Sequence, residues 1–361
     1  MFDLCSRRGL FAAAAATTLA LASTTAAQAQ TKVGFVYVGP VGDYGWSYQH
    51  NVGRLAIEEA FGDQVETTYV ESVPEGADAE RVIRQLASSG HDLIFTTSFG
   101  YMNPTLRVAS EFPDVKFEHA TGYRRADNVS TYSSRFYEGR AVIGTLAGRL
   151  TKTNRIGYVA SYPIPEVIRG INAAMIAARK VNPEAEIRVV WVNSWYDPGR
   201  EAAAAEALMD QDVDVIMQHT DSPAPLQAAA ARGLPAFGQA SDMRNFGPEA
   251  QVTAILDIWD EYYISRVQAV IDGTWESTDT WGGFDDGMVV MAPYLEGFDA
   301  ELLAEAKAIE AGITDGSLHP FAGPIIAQDG TEVIPAGDVL SDDVLLGMNY
   351  YVQGVVGQVP N

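Results

Sequence analysis

Short apolar runs alternate with amphipathic stretches along most of this chain. The first run, residues 32–38, is rich in Val, Phe and Tyr, which is typical of a strand covered on both faces. Gly39, Pro40 and Gly42 interrupt the run, and apolar positions at helical spacing follow in residues 52–59. The pattern therefore predicts a buried strand, a polar turn and a helix, which is the repeating unit of an α/β fold.

Further strand and helix patterns follow in alternation. The predicted strands are residues 65–70, 91–97, 115–119, 128–136, 155–160, 187–192, 213–217, 235–238 and 252–256. The predicted helices are residues 78–88, 104–111, 138–150, 165–181, 198–210, 223–231, 258–272 and 299–311. This alternation is typical of doubly wound parallel sheets with helices on both faces.

Residues 1–29 carry the features of an export signal that is removed from the mature protein. Arg7 and Arg8 precede an apolar, Ala-rich run over residues 10–22, and residues 27–29 give an Ala-Gln-Ala cleavage pattern. The paired arginines also resemble a twin-arginine signal. We therefore expect export to the periplasm.

The single cysteine also bears on the compartment. Cys5 precedes the apolar run, so it cannot be the lipid-bearing cysteine of a lipoprotein, and cleavage after about Ala29 leaves a chain without thiols. No stretch after residue 30 is long and apolar enough to predict a membrane span.

Length and charge narrow the class of protein. The 361 residues are 47% hydrophobic with a mean hydropathy of −0.03, so the chain is globular and long enough for two lobes. Its net charge of −23 argues against partners such as nucleic acid or anionic lipid.

The α/β series breaks near residue 150, and shorter segments return after residue 251. We predict a first lobe of residues 30–150 plus about 252–290, and a second lobe of 151–251 plus part of 291–361. Two successive α/β lobes behind an export signal are typical of a two-lobed periplasmic binding protein. In such proteins a hinge crossed several times by the chain holds a ligand cleft.

The loop of residues 39–48 is the first candidate for ligand contact. It holds Asp43 with Tyr44, Trp46 and Tyr48, and it follows the carboxyl end of a strand, where open α/β sheets bind ligands. One carboxylate and three aromatic rings suit a flat molecule with hydrogen-bonding edges. Equally, Trp46 and Tyr48 could fasten the helix to the sheet.

Aromatic and carboxylate side chains also follow the carboxyl ends of later strands. Trp195 follows one strand and is a candidate for ligand stacking, with packing inside a lobe as the alternative. Asp221 and Asp242 follow the next two strands, and each is either a ligand contact or the cap of the next helix.

The histidines and three later aromatic residues do not indicate a binding site. The five histidines show no spacing for a metal site. Trp259, Tyr262 and Tyr263 lie at helical spacing, which favours a place in the core. We therefore expect neither a metal nor a cofactor.

Four segments carry a resemblance to a known family. They are VGFVYVGPVGDYGWSYQHNVG at 33–53, SSRFYEGRAVIGTLAG at 133–148, IGYVASYPIPEVIRGINAAMIAAR at 156–179, and the closing GPIIAQDG, PAG and MNYYVQGVVG at 323–357. In these segments the chain resembles the basic membrane protein family of ABC-transporter substrate-binding proteins. That family is the purine nucleoside receptor-like branch of the type I periplasmic binding-protein fold.

The resemblance implies a purine nucleoside or related heterocycle held between the lobes, with its ring stacked on aromatic side chains. The matching positions that it implies for ligand contact are Asp43, Trp46, Ser98, Phe99, Trp195 and Asp242. Stacking on aromatic rings contributes about 1–3 kcal/mol per base in nucleic-acid complexes, and carboxylates accept strongly from N–H groups.

Two departures from the family pattern change the expected ligand. Trp46-Ser47 stands where the family has Phe-Asn, and Ser47 is therefore also a candidate contact. Asp257 stands where the family has a lysine that serves the sugar. We therefore favour a free nucleobase such as adenine over a nucleoside.

The resemblance implies a monomeric, non-enzymatic receptor whose partners are a purine and a membrane permease of an ABC importer, with no role for nucleic acid. A periplasmic nucleoside hydrolase would need clustered aspartates, whereas the carboxylates here are spread one to a loop. A ligand-sensing repressor core is disfavoured by the export signal and by the lack of a basic helix-turn-helix segment.

Overall fold

Two predominantly parallel sheets, each covered by helices on both faces, make up the architecture. The computed structural model describes residues 30–42 and 44–360. The predicted export signal and the candidate Asp43 lie outside the described residues. The α/β, two-sheet fold predicted from the sequence is confirmed.

The described residues form fifteen strands, of which the first ten lie within two residues of the apolar runs that predict them. They are β1 Thr31–Val36, β2 Val65–Val70, β3 Leu93–Thr96, β4 Lys116–Ala120, β5 Val129–Ser134, β6 Arg155–Ala160, β7 Glu186–Trp191, β8 Val215–His219, β9 Ala236–Gly238, β10 Gln251–Asp257, β11 Asp279–Gly282, β12 Val289–Met291, β13 Ile325–Ile326, β14 Glu332–Ile334 and β15 Val355–Val356.

The helices occupy the amphipathic stretches between the strands. They are α1 Trp46–Phe61, α2 Ala77–Ser88, α3 Met102–Glu111, α4 Tyr137–Leu150, α5 Pro165–Val181, α6 Pro198–Met209, α7 Ala224–Ala231, α8 Asp260–Ile271, α9 Ala300–Thr314 and α10 Asp342–Leu346. Within residues 30–42 and 44–360, no helix has the length and apolarity to cross a bilayer.

Five consecutive strands of each large sheet follow the same order. The first sheet runs β2-β1-β3-β4-β5-β11, and its pairings are parallel. The second runs β15-β7-β6-β8-β9-β10-β12, with only β12 antiparallel among these pairings. In each sheet the order reverses beside the first strand, and at such a switch point the loops at the carboxyl ends open a crevice.

Strand β1 shows why these runs are apolar on both faces. Phe35 packs in the cluster that includes Trp259 and Tyr263, whereas its neighbour Val36 packs with Ile83 on the opposite face. Because successive side chains in a strand point to opposite faces, a strand covered by helices on both sides has no polar face. Trp259 and Tyr263 are fully buried, as their helical spacing predicts.

The lobe boundaries differ from the predicted ones. Helix α4, predicted to end the first lobe at residue 150, instead packs on α5 and α9 of the second lobe. Its Gly144 allows this, because a Cβ there would meet the backbone of Ala174. Strand β10, predicted for the first lobe, lies in the second sheet beside β9.

The chain therefore crosses between the lobes after β5, after β10 and after β11. The first lobe contains β1–β5, α1–α3, α8 and β11, and the second contains the remaining helices and strands. Hydrogen bonds link the crossings: Ser134 Oγ donates to Asp257 Oδ1 at 2.6 Å, and the backbone N–H of Arg135 donates to the Gly282 carbonyl at 2.6 Å. These three crossings form the hinge.

Candidate functional site

A cavity with an empty volume of about 330 Å³ lies between the lobes, where the carboxyl ends of both sheets face each other. This volume includes space that is open to solvent at the mouth of the cavity. The cavity is lined by Val38, Trp46, Ser98, Phe99, Thr121, Glu166, Trp195, His219, Asp221 and Gln239.

Trp46 serves the fold and the cavity at once. It begins α1, its indole Nε1 donates to the Thr97 carbonyl at 2.6 Å, and its ring meets the His50 ring edge-on at 4.4 Å. Both interpretations of Trp46 from the sequence are therefore compatible with the structure. The ring is fixed to the first sheet while it forms one wall of the cavity.

Trp195 contributes an aromatic wall from the second lobe. It follows β7, its ring lies 5.2 Å from that of Tyr162, and its indole Nε1 donates to Glu75 Oε1 of the first lobe at 3.1 Å. The Ser98 hydroxyl donates to the same Glu75 oxygen at 2.6 Å. Glu75 therefore joins a residue from each side of the cavity.

Asp221 supplies a buried carboxylate to the cavity. Its side chain accepts from the backbone N–H of Trp46, and its Oδ2 has no hydrogen-bond partner in residues 30–42 and 44–360. Burial, followed by the nearby carboxylates of Glu201 and Asp257, raises the pKa of Asp221 well above its usual value. A ligand N–H group would satisfy this oxygen.

The remaining charged wall of the cavity is acidic. Glu166 Oε1 lies 3.6 Å from His219 Nε2, and burial lowers the pKa of His219, which keeps the imidazole neutral at physiological pH. No Lys or Arg is among the described residues that line the cavity. The site therefore offers acceptors and aromatic faces, and lacks the cations that an anionic ligand requires.

The N-terminal end of α1 docks on the second lobe. The Gly45 N–H donates to Ser241 Oγ at 2.6 Å, and the Asn245 amide donates to the Tyr44 hydroxyl at 2.9 Å. Gly45 has a φ of 90°, and a Cβ there would clash with the Asp221 carbonyl. Glycine is thus needed for the two lobes to approach so closely.

The structure brings five of the candidate residues into one cavity: Trp46, Ser98, Phe99, Trp195 and Asp221. Their contact with a ligand remains a prediction. Asp43 lies outside the described residues.

Two other candidates are engaged locally instead. Ser47 is buried, and its hydroxyl accepts from the Gly39 N–H at 3.0 Å. Asp242 accepts from the Gln251 side chain at 2.6 Å and from the Arg244 N–H at 3.1 Å. Neither residue lines the cavity.

Sequence reasoning missed several lining residues, including Thr121, Glu166, His219 and Gln239. Three of the four lie at or just beyond the end of a strand, at the edge where Trp195 and Asp221 were found. Their topological position was therefore the available signal. Glu166 lies instead in the first turn of α5.

The described residues contain no group of three or more His, Cys, Asp or Glu side chains arranged to hold a metal ion. Two lobes, a hinge of three crossings and a small cavity at the switch points define a cleft-type ligand receptor. The model of the Bmp family, described as PnrA-like ABC transporter substrate-binding proteins, matches residues 30–313. This chain belongs to that family, which confirms the resemblance found in the sequence.

Individual relatives agree with this assignment. A purine-binding protein of Brucella abortus is 55% identical over 334 residues, which is 92% of this chain and 95% of that protein. A putative ABC transporter glucose-binding protein of Haloferax volcanii is 39% identical over 327 residues, which is 91% of this chain and 81% of that protein.

Solved structures share the fold. A solute-binding protein of an ABC transporter system from Aeropyrum pernix aligns with a TM-score of 0.70 at 19% identity, over 87% of this chain and 95% of that one. A similar protein from Conexibacter woesei gives a TM-score of 0.64 at 23% identity, over 80% of this chain and 98% of that one. These likenesses establish the two-lobed binding-protein fold.

Proposed function

We propose that this substrate-binding protein works in the periplasm and captures a purine for an ABC importer, with a free base such as adenine favoured over a nucleoside. The observation that carries the proposal is the pairing of aromatic walls from both lobes with the unpartnered Asp221 oxygen. Rings from Trp46, Phe99 and Trp195 can stack on the faces of a purine. Asp221 can accept from an N–H group on its edge.

The preference for a base over a nucleoside rests on one departure from the family pattern. Asp257, which replaces the sugar-binding lysine of the family pattern, is fully buried and accepts from Ser134. Asp257 does not line the cavity, so it offers nothing to a ribose there.

The charge of the site and the relatives favour a neutral heterocycle. A phosphate or carboxylate ligand would face Glu166 and Asp221 without a cation in the described lining. The Brucella abortus relative is named for purine binding, which supports a purine here. The Haloferax volcanii relative is named for glucose binding, so a sugar is the competing ligand that the experiment must test.

The protein acts as a receptor without catalysis in this proposal. The cavity carboxylates, Glu166 and Asp221, come from separate elements and form no cluster that would activate water, so hydrolysis of a nucleoside is disfavoured. Closure of the lobes about the hinge presents the loaded form, a monomer, to a membrane permease.

Calorimetric titration of the ligand-stripped chain from Gln30 onward tests the proposal with adenine, adenosine and glucose side by side. Adenine binding with weaker adenosine binding and no glucose binding is the expected result. Equal or tighter adenosine binding would move the assignment to a nucleoside. Binding of glucose without binding of adenine or adenosine would contradict the proposal of a purine ligand.

Two aspartate variants localise the binding. Asp221→Asn should weaken adenine binding by about tenfold or more, because it removes a charge-assisted acceptor. Asp242→Asn is the matched control, since Asp242 follows a strand in the same way but lies outside the cavity lining. Equal losses in both variants would argue against the cavity as the binding site.

A further inference from the structure

Arg140 is a buried cation whose guanidinium engages a cavity residue. It lies in α4, is fully buried, and stacks over the rings of Phe136 at 4.8 Å and Tyr158 at 5.2 Å. Its Nη2 donates to Gln239 Oε1, while its Nε and Nη1 have no hydrogen-bond partner among the described residues. The aromatic rings hold the guanidinium in place.

This contact fixes the orientation of the Gln239 amide. Arginine carries only donors, so the Gln239 side chain must turn its oxygen toward Arg140. The Nε2 group, with two N–H donors, then points away from the guanidinium. Gln239 is only 2% exposed and lines the ligand cavity together with Asp221.

The backbone around Gln239 is also held firmly. The next residue, Ala240, has a φ of 57°, a left-handed conformation that is strained for a residue with a side chain. Its carbonyl accepts from the Asp257 N–H at 3.1 Å, which ties this turn to the hinge strand β10. Such a strained and supported turn positions the preceding side chain.

We propose that Gln239 is a specificity-determining residue, oriented by Arg140, which donates a hydrogen bond to an acceptor atom on the ligand edge. Asp221 accepts from a neighbouring N–H on the same edge. The site therefore selects heterocycles that carry a donor and an acceptor side by side, as adenine does with its 6-amino group and the flanking ring nitrogens. This inference rests on the proposed purine function, which it refines by naming the recognised edge.

Deaza analogues of adenine test the inference, because each replaces one ring nitrogen by CH. The wild-type protein should bind one of two analogues, 7-deazaadenine or 1-deazaadenine, about 3–10-fold more weakly than adenine. Which analogue is affected depends on which ring nitrogen accepts from Gln239. The factor is the usual effect of one lost hydrogen bond. Gln239→Glu keeps the size of the side chain and its acceptor for Arg140 but removes the N–H donors. It should bind adenine more weakly by a similar factor and should lose the discrimination against that one analogue.

Gln239→Met and Arg140→Met extend the test. Gln239→Met also lacks the donor and should show the same loss of discrimination without adding charge. Arg140→Met frees the amide to rotate, so Arg140 acts as a positioning residue whose loss should reduce the preference between analogues. Thermal unfolding of each variant separates a folding defect from a change in selectivity.

The outcomes separate this inference from the proposed function. A wild-type protein that binds adenine, with Gln239 variants that keep its full affinity and its discrimination between analogues, would overturn the role of Gln239 and leave purine binding intact. A wild-type protein that binds no purine would overturn both. Loss of discrimination confined to one analogue supports the inference.

Discussion

Trp195 and Glu75 lie on opposite lobes and are joined across the cleft by a hydrogen bond of 3.1 Å from the indole Nε1 to the carboxylate Oε1. Trp195 lines the cavity between the lobes, whereas Glu75 is not among the lining residues and also accepts from Ser98. The contact therefore connects a cavity-lining residue of the second lobe to the first lobe. Closure of the cleft and retention of the ligand should depend on it.

Trp195→Phe should release ligand faster, because it keeps an aromatic ring but loses the donor to Glu75. The bond is exposed to solvent, so we expect an increase in the dissociation rate of only about 2–10-fold, as for a typical net hydrogen bond. Stopped-flow fluorescence measures this rate.

Trp191→Phe is the matched control for this prediction. Trp191 Nε1 donates to the Tyr351 hydroxyl at 3.1 Å within the second lobe, so the variant loses one indole hydrogen bond away from the cleft. Its dissociation rate should match that of the wild type. Glu75→Ala should reproduce the effect of Trp195→Phe, and an unchanged rate in Glu75→Ala would show that Trp195 acts by stacking alone.

Phe99 should contribute to binding through its ring face. Phe99→Ala is expected to weaken purine binding by about 1–3 kcal/mol, or roughly 5–150-fold, the usual range for loss of one stacking ring. Phe99→Trp should retain most of the affinity. Calorimetry with adenine provides the measurement.

A neighbouring ring outside the cavity serves as the reference. Tyr123 lies 6.4 Å from Phe99 between ring centroids but is 60% exposed and does not line the cavity. Tyr123→Ala should alter affinity by no more than about twofold, as for an ordinary surface substitution. A comparable loss in both variants would mean that the ligand lies elsewhere.

Binding of a ligand N–H group to Asp221 should release a proton. The raised pKa of Asp221 favours the neutral acid in the free protein, whereas an N–H donor from the ligand favours the carboxylate. Affinity should therefore increase as the pH rises toward that raised pKa. Calorimetry in phosphate and in Tris, which differ in ionisation enthalpy, should give different apparent binding enthalpies at one pH.

The Asp221→Asn variant removes the titrating group. Its apparent binding enthalpy should be the same in both buffers, and its affinity should no longer increase with pH. A buffer dependence that persists in this variant would assign the released proton to another group.

Local patterns were enough to predict most elements of the fold. Strands Val65–Val70 and Arg155–Ala160 and helix Pro165–Val181 have the predicted bounds. Proline at the start of a helix and β-branched runs between turns fix such limits locally. The membership of β10 in the second sheet was not predictable in this way, because an apolar strand has the same local pattern in either lobe.

The site was predictable only in part, for a similar reason. The rule that ligands meet the carboxyl ends of strands found Trp195 and Asp221, but it also selected Asp242, whose carboxylate turns back to its own loop. Gln239 also follows a strand, so its position was a signal that sequence reasoning did not use. Its contact with Arg140, which is 99 residues away in the sequence, leaves no local signal.

The hinge carboxylate of Asp257 should make stability depend on pH. Burial is the main cause that raises the pKa of Asp257 to about 8, even though Ser134 donates to its Oδ1. The unfolded chain has an aspartate pKa of about 3.9, so between these values the native state holds a proton that the unfolded state has lost. The stability that this group contributes is complete below about pH 4 and is lost as pH rises through about 8.

Asp257→Asn should remove this dependence, because the amide is neutral at every pH and still accepts from Ser134. The wild type should be less stable at pH 8.5 than at pH 5.5, and the variant should regain stability on the order of 1–3 kcal/mol at the higher pH. Urea unfolding at the two pH values measures the difference. Asp63→Asn, on the exposed surface, is the control that should keep the wild-type dependence. A wild-type slope retained in Asp257→Asn would mean that the hinge carboxylate is ionised in the native state and that the slope arises elsewhere.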